Sequence, residues 1–224
     1  MEKVTLIESF KTFQGEGPDA GRPMLILRFK DCNRRCLWCD TAVKMRISMQ
    51  FEMSLRDIQE EINKTNCGLL ITGGEPTFKQ NLVQTIGLLT ELKYPIANVE
   101  TNGHDLFNLL MKVSPIGKNI KYIYSPKIFN KTELEIEKKR VITFQDNVNV
   151  FVKLVYDKNF KDLLDDFLQY VITLDNIVSN HRLYLMPEGV TRVDLLRNAP
   201  DVFDACEKYN AAFSSREHIM YGFV

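Results

Sequence analysis

Cys32, Cys36 and Cys39 stand in the run Asp31-Cys32-Asn33-Arg34-Arg35-Cys36-Leu37-Trp38-Cys39-Asp40-Thr41, a C-x3-C-x2-C spacing on a polar, arginine-bearing loop. Iron–sulfur clusters are ordinarily held by four thiolates. Three from one tight loop would leave one iron of a [4Fe–4S] cube without a protein ligand, open to a small chelating molecule. A structural zinc ion takes four closed ligands, and no fourth Cys or His lies nearby in the sequence. A disulfide would strand one thiol, and three cysteines on a polar loop do not resemble a hydrophobic stripe. An open-site cluster is the reading that employs all three.

Other segments with chemistry in them sit just behind short apolar runs. Gly73-Gly74-Glu75-Pro76, Thr101-Asn102-Gly103, Ser125-Pro126-Lys127 and Met186-Pro187-Glu188-Gly189 all do so. Paired glycines suit a place where backbone approaches a ligand with no Cβ in the way. The runs predict strands at 24–29, 68–72, 96–100, 120–124, 150–156 and 183–186. Amphipathic stretches predict helices near 55–64, 79–93, 104–112, 159–171 and 192–209, and Ser54 with Asp57 resembles a capping box at the first. Strands alternating with helices imply βαβ units and an α/β fold with a mainly parallel sheet. In such folds ligands lie beyond the carboxyl ends of the strands, where these segments fall. The charged stretch 130–149 is expected to be a surface excursion.

The 224 residues, with no linker-like composition, are expected to form a single domain over 1–224. Lys+Arg and Asp+Glu both number 29, so no overall basic field points to nucleic acid or an anionic membrane. A small-molecule or protein partner is expected instead. No stretch reaches the ~20 apolar residues of a membrane span, and MEKVTLIESF lacks a long apolar core. A cytoplasmic location follows as the expectation, and in that reducing compartment close-set cysteines point to metal or catalysis.

The cysteine spacing with Trp38 before the last thiol, followed by Gly73-Gly74-Glu75-Pro76, resembles the radical S-adenosylmethionine (SAM) superfamily. Within it, Phe13-Gln14-Gly15-Glu16-Gly17, Gly21-Arg22-Pro23, Arg28 and Cys39-Asp40-Thr41 resemble the 7-carboxy-7-deazaguanine synthase family. So do Glu100-Thr101-Asn102-Gly103, Ser125-Pro126-Lys127, Leu185-Met186-Pro187-Glu188-Gly189 and Ser215-Arg216-Glu217-His218. The resemblance runs in order from about residue 8 to the C-terminus. It implies a partial βα barrel and a reduced cluster that cleaves SAM to methionine and a 5′-deoxyadenosyl radical. The radical takes a hydrogen from C6 of 6-carboxy-5,6,7,8-tetrahydropterin. The ring then contracts with loss of ammonia to 7-carboxy-7-deazaguanine, a precursor of queuosine and related 7-deazapurines.

The same resemblance implies residue roles. Cys32, Cys36 and Cys39 would hold the cluster, and Thr41 would give its hydroxyl to Mg²⁺. Trp38, Asp40, Gly73, Gly74, Glu75, Ser125, Pro126 and Lys127 would line SAM, with Glu100 beside it as the catalytic residue. Phe13, Gln14, Gly15, Arg28, Thr72 and the chain end at Val224 would hold the pterin. A homodimer and an electron donor such as flavodoxin are implied as well.

Taken without the family, the same residues have plainer readings. Thr41 could cap a turn, Arg28 could face solvent or a protein carboxylate, and Glu100 could bond a neighbouring loop. Lys127 could be a surface charge, and Gln14 and Glu16 could serve a glycine turn. Cys67 and Cys206 read as small buried hydrophobes. His104 and His181 read as surface or cap residues, and His218 belongs to the matching tail. Asp31 stands where the family usually has Gly, and 42–53 is distinctive to this chain. The alternative function is a glycyl-radical activating enzyme, such as the anaerobic ribonucleotide reductase activase. It shares the cysteine spacing but accounts for neither F-Q-G-E-G nor S-P-K.

Overall fold

The computed structural model describes residues 1–37, 39, 41, 46–113, 119–178 and 181–223. They form two compact units, the first of Met1–Gln14 with Gly21–Tyr122, the second of Gly15–Ala20 with Ile123–Val224.

The first unit carries β1 (Lys3–Leu6), β2 (Glu8–Phe13), β3 (Pro23–Phe29), β4 (Phe51–Ser54), α1 (Leu55–Thr65), β5 (Gly68–Gly73), α2 (Gln80–Glu91), β6 (Ala97–Thr101), α3 (Leu106–Lys112) and the start of β7 (Ile120–Tyr124). β3, β5 and β6 run parallel, with β2 antiparallel on the outer side of β3. β1 and β4 make a separate antiparallel pair. Strands covered on both faces read as continuous apolar runs, and Leu25, Leu27, Leu69, Leu70, Ile71, Ala97 and Val99 are all buried. Ser54 caps α1 as expected, accepting from the Asp57 amide at 3.1 Å. Ile58 and Ile62, one turn apart, bury the inner face of that helix.

The second unit continues β7 and adds α4 (Lys131–Ile142), β8 (Val150–Tyr156), α5 (Lys161–Val171), α6 (Asp175–Val178), β9 (Leu183–Pro187), α7 (Arg192–Tyr209), β10 (Ala212–Phe213) and α8 (Glu217–Tyr221). β8, β9 and β10 are parallel. Arg182 is buried before β9, and its guanidinium donates to the carbonyls of Gln145, Asn147, Val150 and Asn176.

The α/β class and the mainly parallel sheet agree with the sequence reading, and its six strands and five helices appear within a residue or two of their expected bounds. One segment is corrected. Residues 131–142 are not an excursion but helix α4, capped by Asn130, which accepts from the Glu133 amide. Its inner face is Leu134, Glu137 and Val141, so a carboxylate interrupts the apolar stripe. Glu137 is held there by Tyr124 Oη and by Arg140 Nη1, which donates to both of its carboxylate oxygens at 2.8 and 2.7 Å. Strands β1, β2, β4 and β10 and the short helices α6 and α8 were also not foreseen. No helix among the described residues is long and apolar enough to cross a membrane.

Candidate active site around the cysteine loop

The sequence between β3 and β5 must turn out of the sheet and return, and the cysteines ride on that turn. Three contacts fix the loop to the turn after β5. The Gly74 amide donates to Phe29 O at 2.8 Å, and the Glu75 amide to Asp31 O at 2.7 Å. Asn81 Nδ2 bridges Asp31 O and Glu75 O at 3.1 and 3.0 Å. The packing is close enough that a Cβ on Gly74 would stand 2.1 Å from Asp31 O, and one on Gly73 2.3 Å from Phe29 N. Gly73 also has a positive φ of 116°. The glycines therefore have a structural reason beyond ligand approach: backbone of the cysteine loop already lies against them. Asp31 exposes its side chain and has no positive φ, so a non-glycine residue sits there without strain.

Glu75 is buried behind this turn and its carboxylate is a hub. Oε1 accepts from the Thr77 amide and hydroxyl at 2.9 and 2.6 Å and from Thr101 Oγ1 at 2.5 Å, and Oε2 accepts from the Asn102 amide at 2.7 Å. It thereby ties the end of β6 to the end of β5. Asn102 passes the connection on, donating to Asn33 Oδ1 at 2.9 Å and approaching Cys32 Sγ at 4.0 Å. His104 is exposed, as expected of a surface residue, but it has neighbours. Its Nδ1 lies 3.1 Å from Asn33 Nδ2, and its ring packs edge-on against Phe78.

A polar row crosses the carboxyl ends of the strands. Register pairs Glu8 with Arg28 and Arg28 with Thr72. Side chains alternate along a strand, so these three share one face. Arg28 Nε donates to Glu8 at 2.6 Å, Arg28 Nη1 to Thr41 Oγ1 at 3.2 Å, and Thr72 Oγ1 to Glu100 at 3.3 Å. Arg28, just before the cysteine loop, thus holds Thr41, just behind it. Below the row Gln14 is buried, bonding Asn98 at 3.2 Å, while Phe13 is 46% exposed. Glu8, Asn81 and Asn98 carry no motif that would have marked them. Only the register of β2 on β3 brings Glu8 to Arg28.

In the second unit the tail joins the F-Q-G-E-G segment. The Glu16 carboxylate accepts from Lys153 Nζ and from Arg216 Nε, the latter at 2.9 Å, and all three side chains are buried. Burial alone would raise the Glu16 pKa, but the charges of Lys153 and Arg216 outweigh it and hold the carboxyl far below its usual range. Arg216 also donates to Gly189 O at 2.7 Å, the Gly17 amide to Ser214 Oγ at 2.9 Å and the Glu217 amide to Gly15 O at 3.0 Å. His218 lies over Gly15 so closely that a Cβ there would meet its Nδ1 at 2.0 Å. Three stretches that match the family separately in sequence are thus one ion-paired cluster. Lys127 Nζ donates to Ser125 Oγ at 2.7 Å within the S-P-K segment. Cys67 and Cys206 are buried, as expected. Trp38, Asp40 and Val224, expected at the site, lie outside the described residues, as do 42–45 of the distinctive segment.

The three loop cysteines form no disulfide and are half-buried. Burial pushes the Cys32 thiol up, and the charges of Glu75, Cys36 and Cys39 add to that, so both other sulfurs lie within electrostatic reach of Cys32. The Arg34 amide points at Cys32 Sγ at 3.4 Å. Among the described residues no three His, Cys, Asp or Glu side chains converge to hold a single metal ion. A [4Fe–4S] cube asks for something else, one thiolate at each of three separate corners with amides directed at sulfur. A loop with three thiols and an N–H···S contact fits that group.

No protein-family model matches the chain. It is 28% identical over 153 residues to the 7-carboxy-7-deazaguanine synthase of Haemophilus influenzae, covering 68% of this chain and 69% of the relative. It is also 28% identical over 209 residues to that of Neisseria meningitidis, covering 88% of this chain and 85% of the relative. The crystal structure of QueE from Escherichia coli shares the fold, with a TM-score of 0.64 at 21% identity over 96% of this chain and 95% of that one. A parallel sheet with a three-thiol loop after one strand, clamped to a glycine turn after the next, is the arrangement that the resemblance to radical SAM enzymes implies. The two relatives carry the description 7-carboxy-7-deazaguanine synthase, the family that the motifs of this chain resemble.

Proposed function

We propose that the chain converts 6-carboxy-5,6,7,8-tetrahydropterin to 7-carboxy-7-deazaguanine with loss of ammonia. The observation that carries this is the polar row beside the cysteine loop, with Arg28 joined to Thr41 and Thr72 to Glu100. When bound, a [4Fe–4S] cluster on Cys32, Cys36 and Cys39 supplies the electron for reductive cleavage of SAM. In the first unit, the Gly73-Gly74-Glu75 turn, with Trp38 and Asp40, is the proposed SAM contact; in the second, Ser125-Pro126-Lys127. Arg28 supplies a fixed cationic fork for the substrate carboxylate, since guanidinium matches carboxylate bidentately. Thr72, with its proton given to Glu100, keeps hydroxyl lone pairs for a donor on the pterin. Glu100 is the proposed catalytic carboxylate. Phe13, Gln14, Gly15 and Val224 complete the proposed substrate contacts. Mg²⁺ at Thr41 has to share that oxygen with the Arg28 N–H, which a hydroxyl's two lone pairs permit.

The test is anaerobic. The protein is reconstituted with iron and sulfide, reduced, and supplied with SAM, Mg²⁺ and 6-carboxytetrahydropterin, and the deazaguanine is sought by absorbance and mass. Product from wild type and none from Cys36→Ala is the expected result. No product from either overturns the reading. Release of 5′-deoxyadenosine without deazaguanine keeps the radical chemistry and removes the substrate.

A further inference from the structure

A planar guanidinium offers a carboxylate two edges, one made of Nε and Nη2 and one of Nη1 and Nη2. In this protein Glu8 occupies the first. Its Oε2 stands 2.6 Å from Arg28 Nε, and both side chains are largely sheltered, at 23% and 17% exposure. The contact could be a simple cross-strand ion pair, because β2 and β3 place the two residues directly opposite. Its surroundings say more. The other end of the fork is turned to Thr41 Oγ1, and the next residue in register is Thr72, itself joined to Glu100. Glu8 is thus the outer anchor of a row whose inner members are the proposed substrate contacts. It is also the anion that already matches the charge of Arg28.

We propose that Glu8 is a positioning residue for carboxylate recognition. By holding Nε it leaves only the Nη1–Nη2 edge of Arg28, fixed between Thr41 and Thr72, to receive the substrate carboxylate. This deepens the functional reading above and rests on it. Two consequences separate position from charge. Glutamine at position 8 keeps an oxygen on Nε but removes the opposing charge, so the fork stays in place and attracts an anion at least as well. Alanine removes the hold, and the fork swings.

The experiment measures binding in the reconstituted protein without turnover, using 6-carboxypterin and the same pterin lacking the carboxyl group. The ratio of the two dissociation constants reads carboxylate recognition alone. Wild type and Glu8→Gln are expected to prefer the carboxylated pterin equally, or Gln more strongly. Glu8→Ala is expected to lose on the order of tenfold of that preference, the scale of effect that misplacing a binding group produces. Binding of the pterin without a carboxyl is expected to stay level across all three. Exchange of the Arg28 Nε–H, followed by ¹⁵N NMR, is expected to be slow in wild type and Glu8→Gln and fast in Glu8→Ala. Equal loss in both variants, or Nε–H exchange indifferent to position 8, overturns the role of Glu8. A wild type that does not distinguish the two pterins, while Nε–H still responds to position 8, instead removes Arg28 from substrate recognition.

Discussion

At Glu75 one buried carboxylate satisfies four donors from three neighbouring residues. Glu75→Ala would leave the Thr77 and Asn102 amides without partners in a dry site. We expect a loss on the order of 2–4 kcal/mol, the range for stranding buried donors, read from denaturant unfolding. Glu16 makes a different case, because its partners are charged. Glu16→Ala removes the carboxylate that the buried Lys153 and Arg216 share, and breaking such a pair costs on the order of 3–5 kcal/mol. The pH dependence follows from the direction of its shift. A folded carboxyl held far below its unfolded value contributes stability that is fully present above about pH 4.3. That contribution is lost as acid titrates the chain from there toward the folded value. The expected result is that Glu16→Gln is less stable than wild type at pH 7, with the gap narrowing below pH ~4. A gap constant from pH 7 to 3 would mean that the ion pair is not its source. For Arg28→Ala we expect substrate binding to weaken on the order of 2–5 kcal/mol while uncoupled SAM cleavage changes little. Equal, near-zero effects on both would remove it from the site.

Among the elements, α4 shows where sequence stops informing. Periodicity located the main strands because buried apolar residues dominate there, as in Leu25-Ile26-Leu27 and Leu69-Leu70-Ile71. The reading failed at residues 131–142 because the inward position between Leu134 and Val141 is Glu137, whose burial depends on Tyr124 and Arg140. Only the tertiary partner makes that residue an inside one. Strand β2 was missed for a related reason: on an outer strand with mixed exposure, Glu8-Ser9-Phe10-Lys11 shows little of a buried run. The proposed site was legible wherever glycine, cysteine and proline set the backbone. It was illegible at Glu8, Asn81 and Asn98, whose significance is a matter of register and hydrogen bonding. Asn130→Ala tests the helix directly. It should cost about 1 kcal/mol, the usual value of such a cap, seen as a lower melting temperature. Lys79, at the start of α2, holds φ 50° and ψ −126°, a region costly for side chains with a Cβ. Lys79→Gly is expected to leave stability unchanged or raise it by roughly 1 kcal/mol, less any contribution from its contact over Phe78.

For the whole molecule, equal numbers of acidic and basic groups and a pI near 6.8 set the colloidal behaviour. Proteins without net charge repel one another least. Light scattering against pH should therefore show the greatest self-association close to neutrality, relieved by pH 8 without any change in the folded state. A flat profile would show that the surface keeps its charges in strongly separated patches. The same balance predicts weak, salt-insensitive retention on a polyanionic resin, since few counterions would be released.

The clamp between the glycine turn and the cysteine loop bears on how such a protein can be rebuilt. Gly73 and Gly74 meet backbone at Phe29 and Asp31 across distances that no added carbon tolerates, and the Glu75 amide and Asn81 Nδ2 both bond Asp31 O. A cysteine loop moved alone into a foreign α/β scaffold would arrive without the surface that shapes it. The transplantable unit is the pair of adjacent strand ends, exchanged together or not at all.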